Sequence, residues 1–328
     1  LDKIVNIAIV RLTSLGDIIF CMAALQLIKR RLPDCSITWF ADWKFADILD
    51  HNPDLDAIVK IDLKGLKRDF SLRKLRSEHQ RLSMAGRFDL VIDLHGMIKS
   101  ALIARMIGGE TVGFNRNMIK EPLAALFYKR TFTVSDAAVP VYRYALLALE
   151  ALGFSCGEDE LIAKRPYLFY RDEDLIPGKD YFKSGRKNII LVPGTSAAEK
   201  NYPWERYVAI ADGLRQNALI CHGSDREYET ACTIAASSQY VSVLPRLNLN
   251  QLKAVISRAD LVIGGDTGPT HIAWANNVPS IALFGPTPPC TFATAVNRIV
   301  TAPVAHGAAS IRDIEVSTIL TLAGELLQ

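Results

Sequence analysis

Four short stretches of this chain set polar side chains and glycine directly after an apolar run, the place where α/β proteins put their chemistry. The first is Arg11-Leu12-Thr13-Ser14-Leu15-Gly16-Asp17. Gly16 permits a sharp bend, and Ser14 or Asp17 can cap the orphan N–H groups of a following helix. Asp17 therefore either caps the helix and complements its dipole, or stands at the mouth of a site as a general base. A carboxylate at a helix start has a low pKa, which suits an alcohol poorly in the ground state. That mismatch shrinks when the leaving group departs early, because attack on an oxocarbenium-like centre makes the nucleophile's proton acidic late in the step. As a cap alone, Asp17 would cost no more than about 1 kcal/mol on replacement by Asn.

The other three stretches lie in the second half. Gly264-Gly265-Asp266-Thr267-Gly268-Pro269-Thr270-His271 places Thr267 as a helix cap and Pro269 in the first turn. It is either an ordinary capped turn or a diphosphate site made by the N–H groups of Thr267 and Gly268. Asp266 is awkward for phosphate contact and is read as ordering the loop, with His271 bracing it. The loop from Pro193 to Trp204 offers the hydroxyls of Thr195 and Ser196 and the ammonium of Lys200, all suited to phosphate oxygens. His222-Gly223-Ser224-Asp225-Arg226-Glu227 supplies a carboxylate able to accept a ribose hydroxyl. Each loop alone reads as solvated surface. Three at equivalent strand ends say more, because a nucleotide diphosphate needs several at once.

Short β-branched runs alternating with longer helical patterns must position these loops, and that alternation predicts parallel sheets of βαβ units. The first half offers strands over Ile4–Val10, Ser36–Phe40, Ala57–Ile61, Leu90–Asp93, Thr111–Gly113 and Thr131–Val134. After a charged passage the pattern restarts at Asn188–Val192. It continues through Ala218–Cys221, Tyr240–Val243, Leu261–Ile263, Ser280–Phe284 and Arg298–Val300. The expected architecture is two Rossmann-like, doubly wound α/β domains facing each other across a cleft, over residues 1–165 and 166–328. The final helix has the option of packing back on the first domain.

A length of 328 residues suits two domains, and 49% apolar content is ample for their cores. The net charge of +3 excludes a strong whole-protein field and leaves room for a local basic face. One such run is Lys64 to Arg76, including Lys67 and Arg68; Lys120, Lys129 and Arg130 form another. Each is either a solvated face or a surface for an anionic acceptor or membrane leaflet. Nucleic acid fits less well, since stacking aromatics are not interleaved. Six scattered cysteines without a C-x-x-C pair argue for reduced cytosolic thiols and against a metal cluster. The opening apolar run is too short for a span or signal peptide, so a soluble or peripheral protein is expected. Dinucleotide, P-loop and zincin motifs are absent, as is a D-x-D metal pair in these turns.

Five segments taken together resemble the ADP-heptose:lipopolysaccharide heptosyltransferase family in order and spacing. They are Thr13–Asp17, Asp93–Ser100, Glu121–Tyr128, Asp266–His271 and Phe284–Pro289. The D-T-G-x-x-H and G-P-T segments are family-wide, whereas K-S-A and E-P-L-A-x-L-F-Y point to the first heptosyltransferase over the second. The resemblance implies the GT-B fold and transfer of L-glycero-D-manno-heptose from ADP-heptose to the inner Kdo of Kdo-bearing lipid A, with inversion. It implies no metal or cofactor, and a place in the cytoplasm at the inner membrane's inner face. Carried over by residue, Asp17 is the general base, with Ser14 and Gly16 beside it at the acceptor. Thr195, Ser196, Lys200, Thr267 and Gly268 hold the diphosphate, Glu227 the ribose, and Leu247 lies near adenine. Asp266 and His271 complete the donor loop, and Lys120 meets the acceptor. Ser196 replaces an expected threonine and keeps its hydroxyl. Lys120 replaces the usual arginine and lacks its bidentate fork. Other readings of a two-domain α/β chain are a second heptosyltransferase or another nucleotide-sugar enzyme, an epimerase among them. A cleft-type solute-binding protein is the non-enzymatic one.

Overall fold

Apolar runs with β-branched residues become strands, and the central ones are buried on both faces because helices cover both. The computed structural model describes residues 6–68, 72–134, 139–176, 181–195, 200–305 and 308–328. It divides into two units, Leu1–Tyr167 and Leu168–Gln328, two residues beyond the boundary expected from sequence.

The first unit contains β1 (Asn6–Val10), β2 (Ser36–Asp42), β3 (Ala57–Ile61), β4 (Leu90–Asp93), β5 (Glu110–Phe114) and β6 (Arg130–Phe132). All pair in parallel, in the order β3-β2-β1-β4-β5-β6. Its helices are α1 (Leu15–Arg31), α2 (Leu63–Arg68), α3 (Leu72–Ser83), α4 (Ile98–Ile107), α5 (Pro140–Ala151) and α6 (Glu158–Ile162). Helix α1 is buried from Ile18 to Ile28, so it is apolar nearly all round and packs beside α5. Its last turn, Lys29-Arg30-Arg31, complements the helix dipole, and Arg31 meets Glu160 at 2.9 Å.

The second unit contains β7 (Asn188–Val192), β8 (Asn217–Ile220), β9 (Val241–Val243), β10 (Leu261–Gly265), β11 (Ser280–Phe284) and β12 (Asn297–Thr301). They form a second parallel sheet, β9-β8-β7-β10-β11-β12, which repeats the strand order of the first. Its helices are α7 (Trp204–Leu214), α8 (Asp225–Ser237), α9 (Leu249–Ser257), α10 (Gly268–Ala275) and α11 (Val316–Leu326). Ile319 and Ala323 of α11 enter the second unit's core with Ile210 and Leu283, because its apolar stripe matches α7 and β11 there.

In a doubly wound sheet the connections leave in opposite directions where the strand order reverses, and the strand ends there open a crevice. That point lies between β1 and β4 in the first unit and between β7 and β10 in the second. The loops carrying Asp17, Thr195 and Asp266 follow three of those four strands. Among the described residues, no helix is long and apolar enough to cross a membrane.

Candidate active site

Strand β1 ends in a buried cation. Arg11 is 6% exposed, and a charge so placed needs a partner. Its Nη1 donates to the Leu94 carbonyl at 2.6 Å, and its Nη2 lies 2.7 Å from Asp17 Oδ2. Its guanidinium also stacks over the Tyr144 ring at 4.8 Å. Asp17, in the first turn of α1, accepts from the Ser14 hydroxyl at 2.7 Å, the Ser14 amide at 3.2 Å and the Tyr144 hydroxyl at 2.9 Å. Burial alone would raise the Asp17 pKa, but Arg11, Ser14 and Tyr144 outweigh it and hold the carboxyl below its ordinary value. The cap and the ion pair thus share one carboxylate.

The loop after β4 abuts the same turn. His95 Nδ1 accepts from the Leu12 amide at 3.4 Å, which leaves the ring proton on Nε2, 3.0 Å from Met97 Sδ. Burial, with Arg11 and Lys99 nearby, pushes its pKa down to about 3, so the ring is neutral. Asp93 is fully buried and accepts from Ser100 Oγ at 2.7 Å, Tyr128 OH at 2.8 Å and the His95 amide at 2.8 Å. Burial raises its pKa against those hydrogen bonds. This carboxylate fastens the loop rather than facing a substrate.

In the second unit, Asp266 gathers three proton donors. Lys200 Nζ lies 2.6 Å from Oδ2, while His271 Nε2 at 3.1 Å and Cys290 Sγ at 3.3 Å reach Oδ1. Burial favours the neutral acid, yet His271 and Lys200 prevail and hold Asp266 well below the carboxylate range. Asp266, His271 and Cys290 bring ligand atoms within 4.8 Å of one another and are the one such triad among the described residues. Their geometry is that of donors converging on a carboxylate, so a cation would have to displace hydrogen bonds made to its oxygens.

Thr195 Oγ1 donates to Asn201 Oδ1 at 2.7 Å, and its methyl packs on the bare face of Gly265. Gly264 is fixed by close approach, since a Cβ there would stand 2.6 Å from the Cβ of Val192. Thr267 holds the N-cap position of α10 without a side-chain capping bond, Pro269 falls in its first turn, and Gly268 opens it. Glu227 curls back to accept from the Gly223 amide at 2.6 Å and covers Gly194. Arg246 donates to the Gly223 carbonyl at 3.2 Å and ties half-buried Leu247 to that loop.

The structure therefore joins Ser14, Gly16 and Asp17 in one turn, and Thr195, Lys200, Asp266, Thr267, Gly268 and His271 at one switch point. Glu227 adjoins the latter group through Gly194. Ser196 lies outside the described residues, as do the side chains of Lys67 and Arg68. Lys64 and Lys120 are exposed and have no ion-pair partner among the described residues. Sequence reasoning missed Arg11 and Tyr144. An arginine ending an apolar strand is a usable signal, because its burial demands a carboxylate nearby; Tyr144, 127 residues from Asp17, gave none.

Residues 76–315 match the family model described as glycosyltransferase family 9 (heptosyltransferase). The chain belongs to that family and is a glycosyltransferase. It is 32% identical to lipopolysaccharide heptosyltransferase 1 of Campylobacter coli, covering 90% of this chain and 89% of the relative. It is 30% identical to the protein of the same name from Pseudomonas aeruginosa, covering 87% and 79%. Among solved structures it resembles the E. coli heptosyltransferase WaaC with ADP, with a TM-score of 0.82 at 22% identity over 98% and 99% of the two chains. A family 9 glycosyltransferase from Veillonella parvula gives 0.85 at 21% identity over 99% and 98%. The fold is that of the GT-B heptosyltransferases.

Proposed function

We propose that this chain transfers L-glycero-D-manno-heptose from ADP-heptose to the inner Kdo of Kdo-bearing lipid A, with inversion, in lipopolysaccharide core synthesis. The observation that supports it most is the Asp17 carboxylate, held ionised by Arg11 and aimed by Ser14 and Tyr144, in a chain of the heptosyltransferase family. In this reading an acceptor hydroxyl oxygen attacks the anomeric carbon while the bond to the ADP oxygen breaks. ADP leaves with the electron pair, and the hydroxyl proton passes to Asp17 as it becomes acidic late in the step.

Lys200 and the start of α10 at Thr267–Gly268 neutralise charge growing on the leaving diphosphate, so no metal or other cofactor is required. Thr195 and Ser196 orient the phosphates, Glu227 the ribose, and Leu247 the adenine. Asp266 and His271 order the Lys200 side of that loop. Lys120 and the basic run with Lys64, Lys67 and Arg68 meet the anionic acceptor. The enzyme works in the cytoplasm, peripheral to the inner leaflet that displays its lipid acceptor.

The test is ADP release from ADP-heptose with Kdo-bearing lipid A, compared with no acceptor and with an acceptor already carrying the first heptose. Release that needs the heptose-free acceptor is expected. Turnover without any acceptor would indicate an epimerase or hydrolase and overturn the reading.

A further inference from the structure

Leu123 and Leu126 are 63% and 78% exposed, an unusual placement for two leucines three residues apart. They lie on the 3₁₀ segment Pro122–Phe127, and with three residues per turn such a spacing brings both side chains to one side. The segment is firmly fastened. Ala124 is fully buried and Tyr128 nearly so, in a cluster with Ala101 of α4. Glu121 accepts from the Ile98 amide at 2.7 Å, and Tyr128 donates to buried Asp93 at 2.8 Å. The Tyr128 ring also fills the space a Cβ on Gly113 would need. The leucines are therefore held outward by a rigid base.

The stretch that carries them is rich in cations. From Ile98 to Arg130 the chain has six cations against two carboxylates, an excess larger than the whole chain's net +3. Both carboxylates are occupied, Glu110 by Arg130 and Glu121 by the Ile98 amide. Lys99, Arg116, Lys120 and Lys129 are exposed and have no ion-pair partner among the described residues. Helix α4 and the turn Arg116–Met118 pack directly against the segment, which brings Lys99 and Arg116 alongside. A fixed apolar knob flanked by exposed cations complements an anionic phospholipid leaflet. The leucines enter the acyl boundary and the ammonium and guanidinium groups meet the phosphates.

We propose that Leu123 and Leu126 are a membrane-docking wedge that seats the first unit on an anionic phospholipid leaflet. The proposal rests on the reading that the acceptor is a membrane lipid, and it assigns the seat to this segment rather than to the run from Lys64 to Arg76. The experiment compares the full chain with Leu123→Ser/Leu126→Ser, using sedimentation with phosphatidylglycerol/phosphatidylcholine vesicles and with pure phosphatidylcholine vesicles. ADP binding serves as the check that the variant is folded. The parent protein should prefer the anionic vesicles, and the variant should partition about tenfold less. With Kdo-bearing lipid A in vesicles the variant's turnover should fall, and with a delipidated, water-soluble Kdo acceptor it should match the parent. Equal vesicle partitioning of parent and variant overturns the wedge, as does a parent dimer in solution that the variant loses. Failure of both acceptors to release ADP, with vesicle binding intact, sinks the acceptor reading instead.

Discussion

Lys200 Nζ stands 2.6 Å from Asp266 Oδ2, while His271 and Cys290 occupy the other oxygen of the same carboxylate. A cation so placed is oriented by Asp266 without being consumed by it. Its side chain is 24% exposed and can still contact a diphosphate. Replacing Lys200 by Ala should raise the dissociation constant for ADP-heptose about 10- to 150-fold, the loss of one charge-assisted hydrogen bond worth about 1.5–3 kcal/mol. Calorimetric titration reads this directly, and unchanged donor affinity would remove Lys200 from the phosphate contacts.

The carboxylate of Asp266 also bears on metal. Three proton donors already converge on it, and in the proposed reaction the charge on the leaving group is met by Lys200 and α10 rather than by a divalent ion. Turnover should be the same in EDTA as in buffer. A rate lost to the chelator and restored by magnesium or manganese would place a metal in the leaving-group chemistry.

Much of this was readable because period and punctuation carry it. The runs that became β1 and β7 are short, apolar and followed by glycine-bearing turns, so the turns that carry Asp17 and Lys200 are legible in the sequence, whereas the strand order that makes them switch points is not. Asp17 and Lys200 were legible as charged groups on such turns. Tyr144 was not, because its approach to Asp17 depends on how α5 packs beside α1, which no local pattern specifies. Arg11 was legible as a residue and illegible as a partner. The membership of α11 in the second core likewise follows from matching apolar stripes, a tertiary fact.

His95 gives a pH signature. Its folded pKa lies near 3 against an ordinary 6.5, so between those values the unfolded chain binds a proton that the folded one does not. Stability is then fully present above about pH 6.5 and falls as pH drops towards 3, with a limiting slope of about 1.4 kcal/mol per pH unit. Asp93, with its raised pKa, works in the opposite sense, so the comparison must be between parent and His95→Gln. The difference between their urea-unfolding free energies should shrink from pH 7 to pH 4.5. A constant difference over that range would mean the imidazole takes up its proton in the fold at the same pH as in the unfolded chain.

Asp17 carries the most consequential expectation. A helix cap alone would make Asp17→Asn cost no more than about 1 kcal/mol. The structure raises that, because Asn removes the charge facing Arg11, whose side chain is 7% exposed, and leaves a buried guanidinium without its counterion. Because the Asp17 side chain keeps 31% exposure, the cost should be about 2–3 kcal/mol rather than the full penalty of a buried pair. Asp17→Asn should therefore melt several degrees lower and still fold. As general base it should also lose about 10²- to 10⁴-fold in turnover, with ADP-heptose affinity nearly constant, since the proposed donor contacts are on the second unit. Tyr144→Phe separates the two roles. It deletes one hydrogen bond that lowers the Asp17 pKa and leaves the ion pair in place. The acid limb of kcat/KM should lie below the ordinary aspartate range in the parent and move upward in Tyr144→Phe, with only a modest loss of plateau rate. An Asp17→Asn protein that is destabilised as described yet turns over normally would leave Asp17 a structural partner of Arg11 and nothing more.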